Sequence, residues 1–186
     1  MSKCNGCGEC GKCQELKCCV EGALCAEKNI LSSIISLVGS IFEFVITYEM
    51  ILFNKSNCCI SNLKILDSLF GTASISNANL SINTVTVTAS SKCGSCNIVP
   101  QTDDTKLKQG ILLDDSKSSI SRCSACSIIV TLRGEFQGLE SSTSTKTELQ
   151  NTALITGNIK KNRCDCIPIL PVYVKSGIIN FRNNTV

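Results

Sequence analysis

Between residues 41 and 50 the chain reads IFEFVITYEM, and Phe42, Phe44, Ile46, Tyr48 and Met50 alternate with Glu43, Val45, Thr47 and Glu49. An apolar side chain at every second position, in a run this rich in aromatic and β-branched residues, predicts a strand with one face against a core. A helix through the same stretch stays open, because Ser33, Ser36, Ser40, Glu43 and Thr47 would share one helical face. The strand is the favoured reading. Similar alternation returns over 73–90, 126–138, 148–160 and 166–181, in segments rich in Thr, Val, Ile, Ser and Asn. Strands of this kind with turn signals between them predict an all-β fold, an antiparallel β-sandwich or jelly roll.

Upstream the period differs. Ile30, Leu31, Ile34, Ile35 and Val38 stand at helical spacing ahead of Gly39, which predicts one short helix over 28–39. Segment 1–27 holds too few large apolar residues to build a core and is expected to be a cysteine-rich N-terminal connector arm. The sandwich domain is then 28–186.

Composition closes several routes to function. The chain has no histidine and no tryptophan, which excludes Ser-His-Asp and Cys-His catalysis, histidine acid/base chemistry and mixed Cys/His zinc sites. A net charge of +3, with scattered Lys and Arg, argues against nucleic acid as a partner. No enzyme activity and no cofactor are expected. A redox enzyme built on a CxxC pair would need a thioredoxin-like βαβ context that the strand pattern lacks.

The apolar stretch 29–55 is long enough to cross a bilayer, yet Glu43 and Glu49 fall in its middle third. Each would cost about 2–3 kcal/mol there, so no membrane span is expected. The sequence begins MSKCNGCGEC, without the apolar core of a secretory signal, so synthesis in a cytoplasm is expected. Two loops are longer than the rest. That over 99–119 carries Asp103, Asp104, Asp114 and Asp115, but not the regular ligand spacing of a known calcium loop. Solvated loop tips are the simpler reading.

What remains is sulfur. Fifteen cysteines are present, an odd number, in a chain long enough to bury a core without cross-links. Cys4, Cys7, Cys10 and Cys13 repeat every three residues, close to a ferredoxin iron–sulfur run but without its fourth-ligand spacing and following proline. Cys93, Cys96, Cys123 and Cys126 form two CxxC pairs that could close a tetrahedral zinc site. A zinc- or iron–sulfur-binding module is therefore the alternative function. Its competitor at these four positions is a pair of neighbouring strand ends carrying disulfides.

The adjacent pairs Cys18-Cys19 and Cys58-Cys59 argue for disulfides with distant partners. Neighbouring Cα atoms are about 3.8 Å apart, whereas relaxed bridges need about 5.5 Å. Each member must seek its own partner. Cys164 and Cys166 would share one face of a strand. Cys4, Cys7, Cys10, Cys13, Cys18, Cys19, Cys25, Cys58, Cys59, Cys164 and Cys166 are thus the candidates for disulfides between subunits. Two or three such bonds would hold an otherwise disordered arm on a neighbouring copy.

This organisation, with Leu16-Lys17-Cys18-Cys19 followed by Cys25 ahead of a β-rich region, resembles the cysteine-rich self-assembling proteins of the bacterial spore surface, above all the endospore appendage (pilus-like fibre) subunits. The resemblance implies a jelly-roll subunit whose connector docks on other subunits and bonds to them through Cys18, Cys19 and Cys25. It implies a polymer of the chain with itself, and contact with other spore-surface proteins. It also implies synthesis in the mother-cell cytoplasm and a final place on the oxidising spore exterior.

Overall fold

The computed structural model describes residues 22–69, 79–137, 147–160 and 166–181. In chain order the strands are β1 (Leu24–Val38), β2 (Ile41–Asn54), β3 (Ile60–Asp67), β4 (Asn79–Cys93), β5 (Cys96–Asn97), β6 (Ser119–Ile120), β7 (Ala125–Gln137), β8 (Thr147–Lys160), β9 (Cys166–Pro168) and β10 (Val172–Phe181). One sheet runs β1-β2-β7-β4 and the other β10-β8-β3-β6-β5, with β9 paired to β8. Every pairing is antiparallel.

The two sheets enclose one core. From the first come Phe42, Phe44, Ile46, Tyr48, Met50 and Leu52 of β2 and Cys126, Ile128, Val130, Leu132 and Phe136 of β7. Leu63 and Ile65 of β3 and Ala153, Ile155 and Ile159 of β8 face them from the second. Each fully buried aliphatic or aromatic side chain contributes about 1.5–3 kcal/mol. The alternation seen from Ile41 onward is therefore the inward face of a β-sandwich, as expected, and 41–54 is strand.

The expected helix over 28–39 is corrected: these residues belong to β1. β1 pairs with β2 from Leu24↔Asn54 to Val38↔Ile41, and the register slips between Ile30 and Ser32. The bulge at Leu31 shifts the inward phase by one residue. Ile30, opposite Tyr48, and Ile35, opposite Phe44, both pack on the core although they are five positions apart. A period-two pattern with one inserted residue then looks like a 3.6-residue period. Gly39, at φ +64°, is the hairpin turn rather than a helix end.

β1 begins at Leu24, and Ala23, Leu24 and Cys25 are buried, so the last residues of the expected arm are part of the first strand. The loop over 99–119 contains a short helix, α1 (Asp104–Lys108), and a 3₁₀ turn at Asp115–Lys117. No helix among the described residues is long and apolar enough to cross a membrane.

Gly134 of β7 lies between Phe44 of β2 and Ile82 of β4. A Cβ there would press on the Ser81 carbonyl and stand 2.6 Å from Cζ of Phe44. We expect Gly134→Ala to lower stability by about 1–3 kcal/mol. Urea unfolding, with unchanged sheet content by circular dichroism, is the measurement.

Candidate functional site

Strand register gathers the described cysteines at one end of the sandwich. Across the first sheet, Cys25 of β1 is opposite Phe53 of β2, Phe53 is opposite Ala125 of β7, and Ala125 is opposite Cys93 of β4. Cys126 follows directly. In the second sheet Ile60 pairs with Ile159, and Lys160 pairs with Cys166, so Cys58 and Cys59 lead into β3 at this same end. The opposite end is the turn between Val38 and Ile41, level with Gln137 and Asn79.

A disulfide joins Cys96 to Cys126 with Cα atoms 6.2 Å apart, inside the range that such bridges span. Cys96 is in β5 of the second sheet and Cys126 in β7 of the first. The bond thus staples the sheets together at the cysteine-bearing end. Cys25, Cys58, Cys93 and Cys123 are also disulfide-bonded. Of the four sulfurs considered for zinc, all are held in disulfides and are not thiolate ligands in this state. Cys93 and Cys126 stand on adjacent strands, as the strand-end reading requires. Among the described residues no cluster of three or more Cys, Asp or Glu is placed to hold a metal.

Buried polar groups shape the loops here. Asn54 is fully buried, and its side-chain nitrogen donates to the carbonyls of Cys58 (2.7 Å), Ser121 (3.0 Å) and Ile120 (3.1 Å). Its oxygen accepts from the amide and hydroxyl of Ser56. One side chain therefore fixes the turn before Cys58 against the segment leading to Cys123. Cys123 itself has φ +51°, an unusual conformation for a residue other than glycine, and donates its amide to the Ser56 carbonyl. Cys59 is exposed, its sulfur 3.7 Å from the Ile60 carbonyl.

Cys4, Cys7, Cys10, Cys13, Cys18, Cys19 and Cys164 lie outside the described residues, and of Cys166 only the backbone is described. The segments that carry them nonetheless join the chain at this end, through Gly22, Lys160 and Cys166. Three of the four acidic loop residues, by contrast, are engaged within their own loop, Asp104 through an ion pair with Lys108 at 2.8 Å. Asp103 caps α1 by accepting from Thr105 and Lys106, and Asp114 accepts from Ser116 and Lys117. Lys117 first, then Ser116, holds the Asp114 carboxyl below its ordinary range.

A second constellation was not expected from the sequence. Lys28 of β1 and Asp67 of β3 form an ion pair at 2.6 Å, with no exposed side-chain area on either. The Tyr48 hydroxyl donates to the same Asp67 oxygen at 2.7 Å, and the Lys28 ammonium stands 4.2 Å from the Tyr48 ring centre. The other Asp67 oxygen accepts the Leu69 amide. Asn151 of β8, fully buried, accepts from Ser68 Oγ at 3.0 Å, while its Nδ2 has no hydrogen-bond partner. Burial lowers the Lys28 amine below its ordinary value, against the opposing pull of Asp67. Burial, then the Asp67 charge, raises the Tyr48 phenol well above its own, while the neighbouring Asn151 acts in the opposite sense. The sequence signal was a lone lysine at an inward position of an apolar strand.

No protein-family profile matches the sequence, and no curated protein matches it. Among solved structures, the collagen adhesin CNA from S. aureus shares 8% identity at TM-score 0.29, over 86% of this chain and 50% of that one. The chain thus spans half the length of that adhesin. ACE19, the collagen-binding subdomain of the Enterococcus faecalis surface protein ACE, shares 11% identity at TM-score 0.24, over 83% of this chain and 95% of that one.

Tyr48 gives a pH test. In the native state it keeps a proton that the unfolded chain releases near pH ~10. Native protein then binds more protons than unfolded protein, so stability falls as pH rises above that value. In a Tyr173→Phe background, phenolate absorbance is expected to appear only together with loss of the sheet signal. Ionisation with the sheets intact would contradict the buried pairing.

Proposed function

We propose that the chain is a non-enzymatic structural subunit that polymerises with itself into a disulfide-cross-linked extracellular fibre or layer on bacterial spores. The observation that carries this reading is the polarity of the sulfur. The described cysteines cluster at one end of the sandwich, and the cysteine-rich segment 1–21 and segment 161–165, with Cys164, join the chain at that end. A subunit with sulfur at one pole and none in the described residues at the other is suited to directional stacking.

Two surface features support contact between copies. β1 and β4 are the edge strands of the first sheet, 15 residues each, and exposed edges offer unpaired backbone groups to another chain. Towards the hairpin end, Leu31, Ile34, Leu37 and Val38 of β1 are 54%, 65%, 49% and 56% exposed. An apolar row of this kind on an edge strand is costly to leave in water and favours a second copy as its cover.

An arm rooted at the sulfur pole meets the same cysteines on the next copy as on its own. Thiolate attack can exchange bridges closed within one chain for bridges between copies. Cys18, Cys19 and Cys25 are the hooks in this reading, with Cys4, Cys7, Cys10, Cys13, Cys58, Cys59, Cys164 and Cys166 as further positions. Synthesis in the mother cell followed by release to an oxidising exterior would delay cross-linking until subunits meet. Other spore-surface proteins are the natural neighbours of the finished assembly.

A denaturing gel without reductant is expected to show a high-mass ladder that collapses to monomer when reductant is added. Replacing Cys18 and Cys19 by serine is expected to shorten the ladder. Ile34→Lys is expected to reduce assembly seen by electron microscopy while leaving the fold intact. Monomer with and without reductant would sink the proposal.

A further inference from the structure

The core holds two groups whose condensation needs no outside reagent. Lys28 is an amine without solvent contact, and Asn151 is a carboxamide without solvent contact. They come from opposite sheets. Lys28 and Tyr48 face inward from β1 and β2, where Ile30 is opposite Tyr48. Asp67 and Asn151 face them from β3 and β8, where Asp67 is opposite Ala153. Asn151 is two residues from Ala153, and so is the diagonal neighbour of Asp67 on the same face.

Each partner carries the features that the reaction needs. The Lys28 nitrogen is 2.6 Å from an Asp67 oxygen, a base placed to take its proton. Desolvation favours the neutral amine, which is the nucleophile. Ser68 Oγ donates to Asn151 Oδ1 at 3.0 Å, which polarises the carbonyl and can stabilise the oxyanion formed on attack. The Asn151 Nδ2, the leaving group, is buried and lacks a hydrogen bond of good geometry. Tyr48 fixes the Asp67 carboxylate at 2.7 Å and adjoins Asn151. A buried amide nitrogen without a protein partner is uncommon.

We propose that Lys28 and Asn151 join in an intramolecular isopeptide bond, with Asp67 carrying the proton. Asp67 takes one proton from the Lys28 ammonium, and the neutral Nζ attacks Cγ of Asn151. Asp67 gives that proton to Nδ2 as the Cγ–Nδ2 bond breaks and takes up the second proton that Nζ releases. One C–N bond forms, one C–N bond breaks, and one ammonia leaves; nothing is oxidised or reduced. Asn151, not Asp67, is the electrophile, because a carboxylate anion resists nucleophilic attack whereas an amide held by a hydroxyl donor does not. The product ties the first strand of one sheet to an inner strand of the other, independently of any disulfide. This inference does not rest on the fibre reading.

The test is the intact mass of the soluble, β-rich full-length protein after complete reduction and alkylation of its cysteines. It is expected to be lighter than the sequence mass by one ammonia. Tryptic digestion is expected to yield a branched species in which a peptide left uncleaved at Lys28 is joined to the peptide 147–160. Lys28→Met, Asn151→Ala and Asp67→Asn are each expected to restore the sequence mass and abolish the branched peptide. An unshifted wild-type mass with separate peptides would overturn the proposal. So would loss of water with linkage to Asp67. Because the wild-type measurement decides alone, a variant that fails to fold leaves the test intact.

Discussion

The ion pair between Lys28 and Asp67 spans the interior and ties the first strand of one sheet to the opposite sheet. A buried charge is tolerated only when its partner and the remaining hydrogen-bonding positions are supplied, and removal of one partner typically costs about 3–5 kcal/mol. Here Tyr48 and the Leu69 amide complete the Asp67 carboxylate. That demand fixes which faces of β1, β2 and β3 look at one another. β1 is an edge strand with much of its distal half in water, so its anchoring depends heavily on Lys28 and on Ile30, which packs on the core near β10. Any covalent or non-covalent reinforcement at this point acts on the strand that follows the cysteine-rich segment 1–21.

Beyond this interior anchor, the molecule is asymmetric along its strands. One end is held by the Cys96–Cys126 bridge and by Asn54, which gathers three carbonyls from two loops. The other ends in a hairpin with an apolar rim. The rigid end is where sulfur is concentrated, and rigidity there matters because a disulfide forms only when Cβ positions are already within reach. The apolar rim is the complementary feature, a surface whose burial rewards contact without covalent chemistry. Together they give the described domain two chemically different ends.

Strand positions were largely legible because burial on one face imposes alternation. β2, β7 and β8 show it without interruption, and their inward residues are the core. β1 departs from the expected helix for a physical reason. One inserted residue at Leu31 moves the inward phase, and the displaced pattern of Ile30, Leu31, Ile34 and Ile35 matches a helix. The short helix α1 is too brief to show a periodic pattern, and its one local signal is Asp103, which caps it by accepting from Thr105 and Lys106. The polar cluster was illegible as a set. Lys28, Tyr48, Asp67 and Asn151 occupy four strands, and nothing local marks them as neighbours.

The sequence by itself determined that the chain would be a β-sandwich, since its alternation can bury one face only as sheet, and it determined the supply of sulfur and the absence of histidine chemistry. Tertiary structure alone decided which sulfurs meet, placing Cys96 beside Cys126 across the two sheets, and which polar groups are sealed inside. The reason is register. Pairing between strands far apart in the chain sets every cross-strand neighbour, and a slip of one residue, such as the bulge in β1, exchanges the inward face for the outward one.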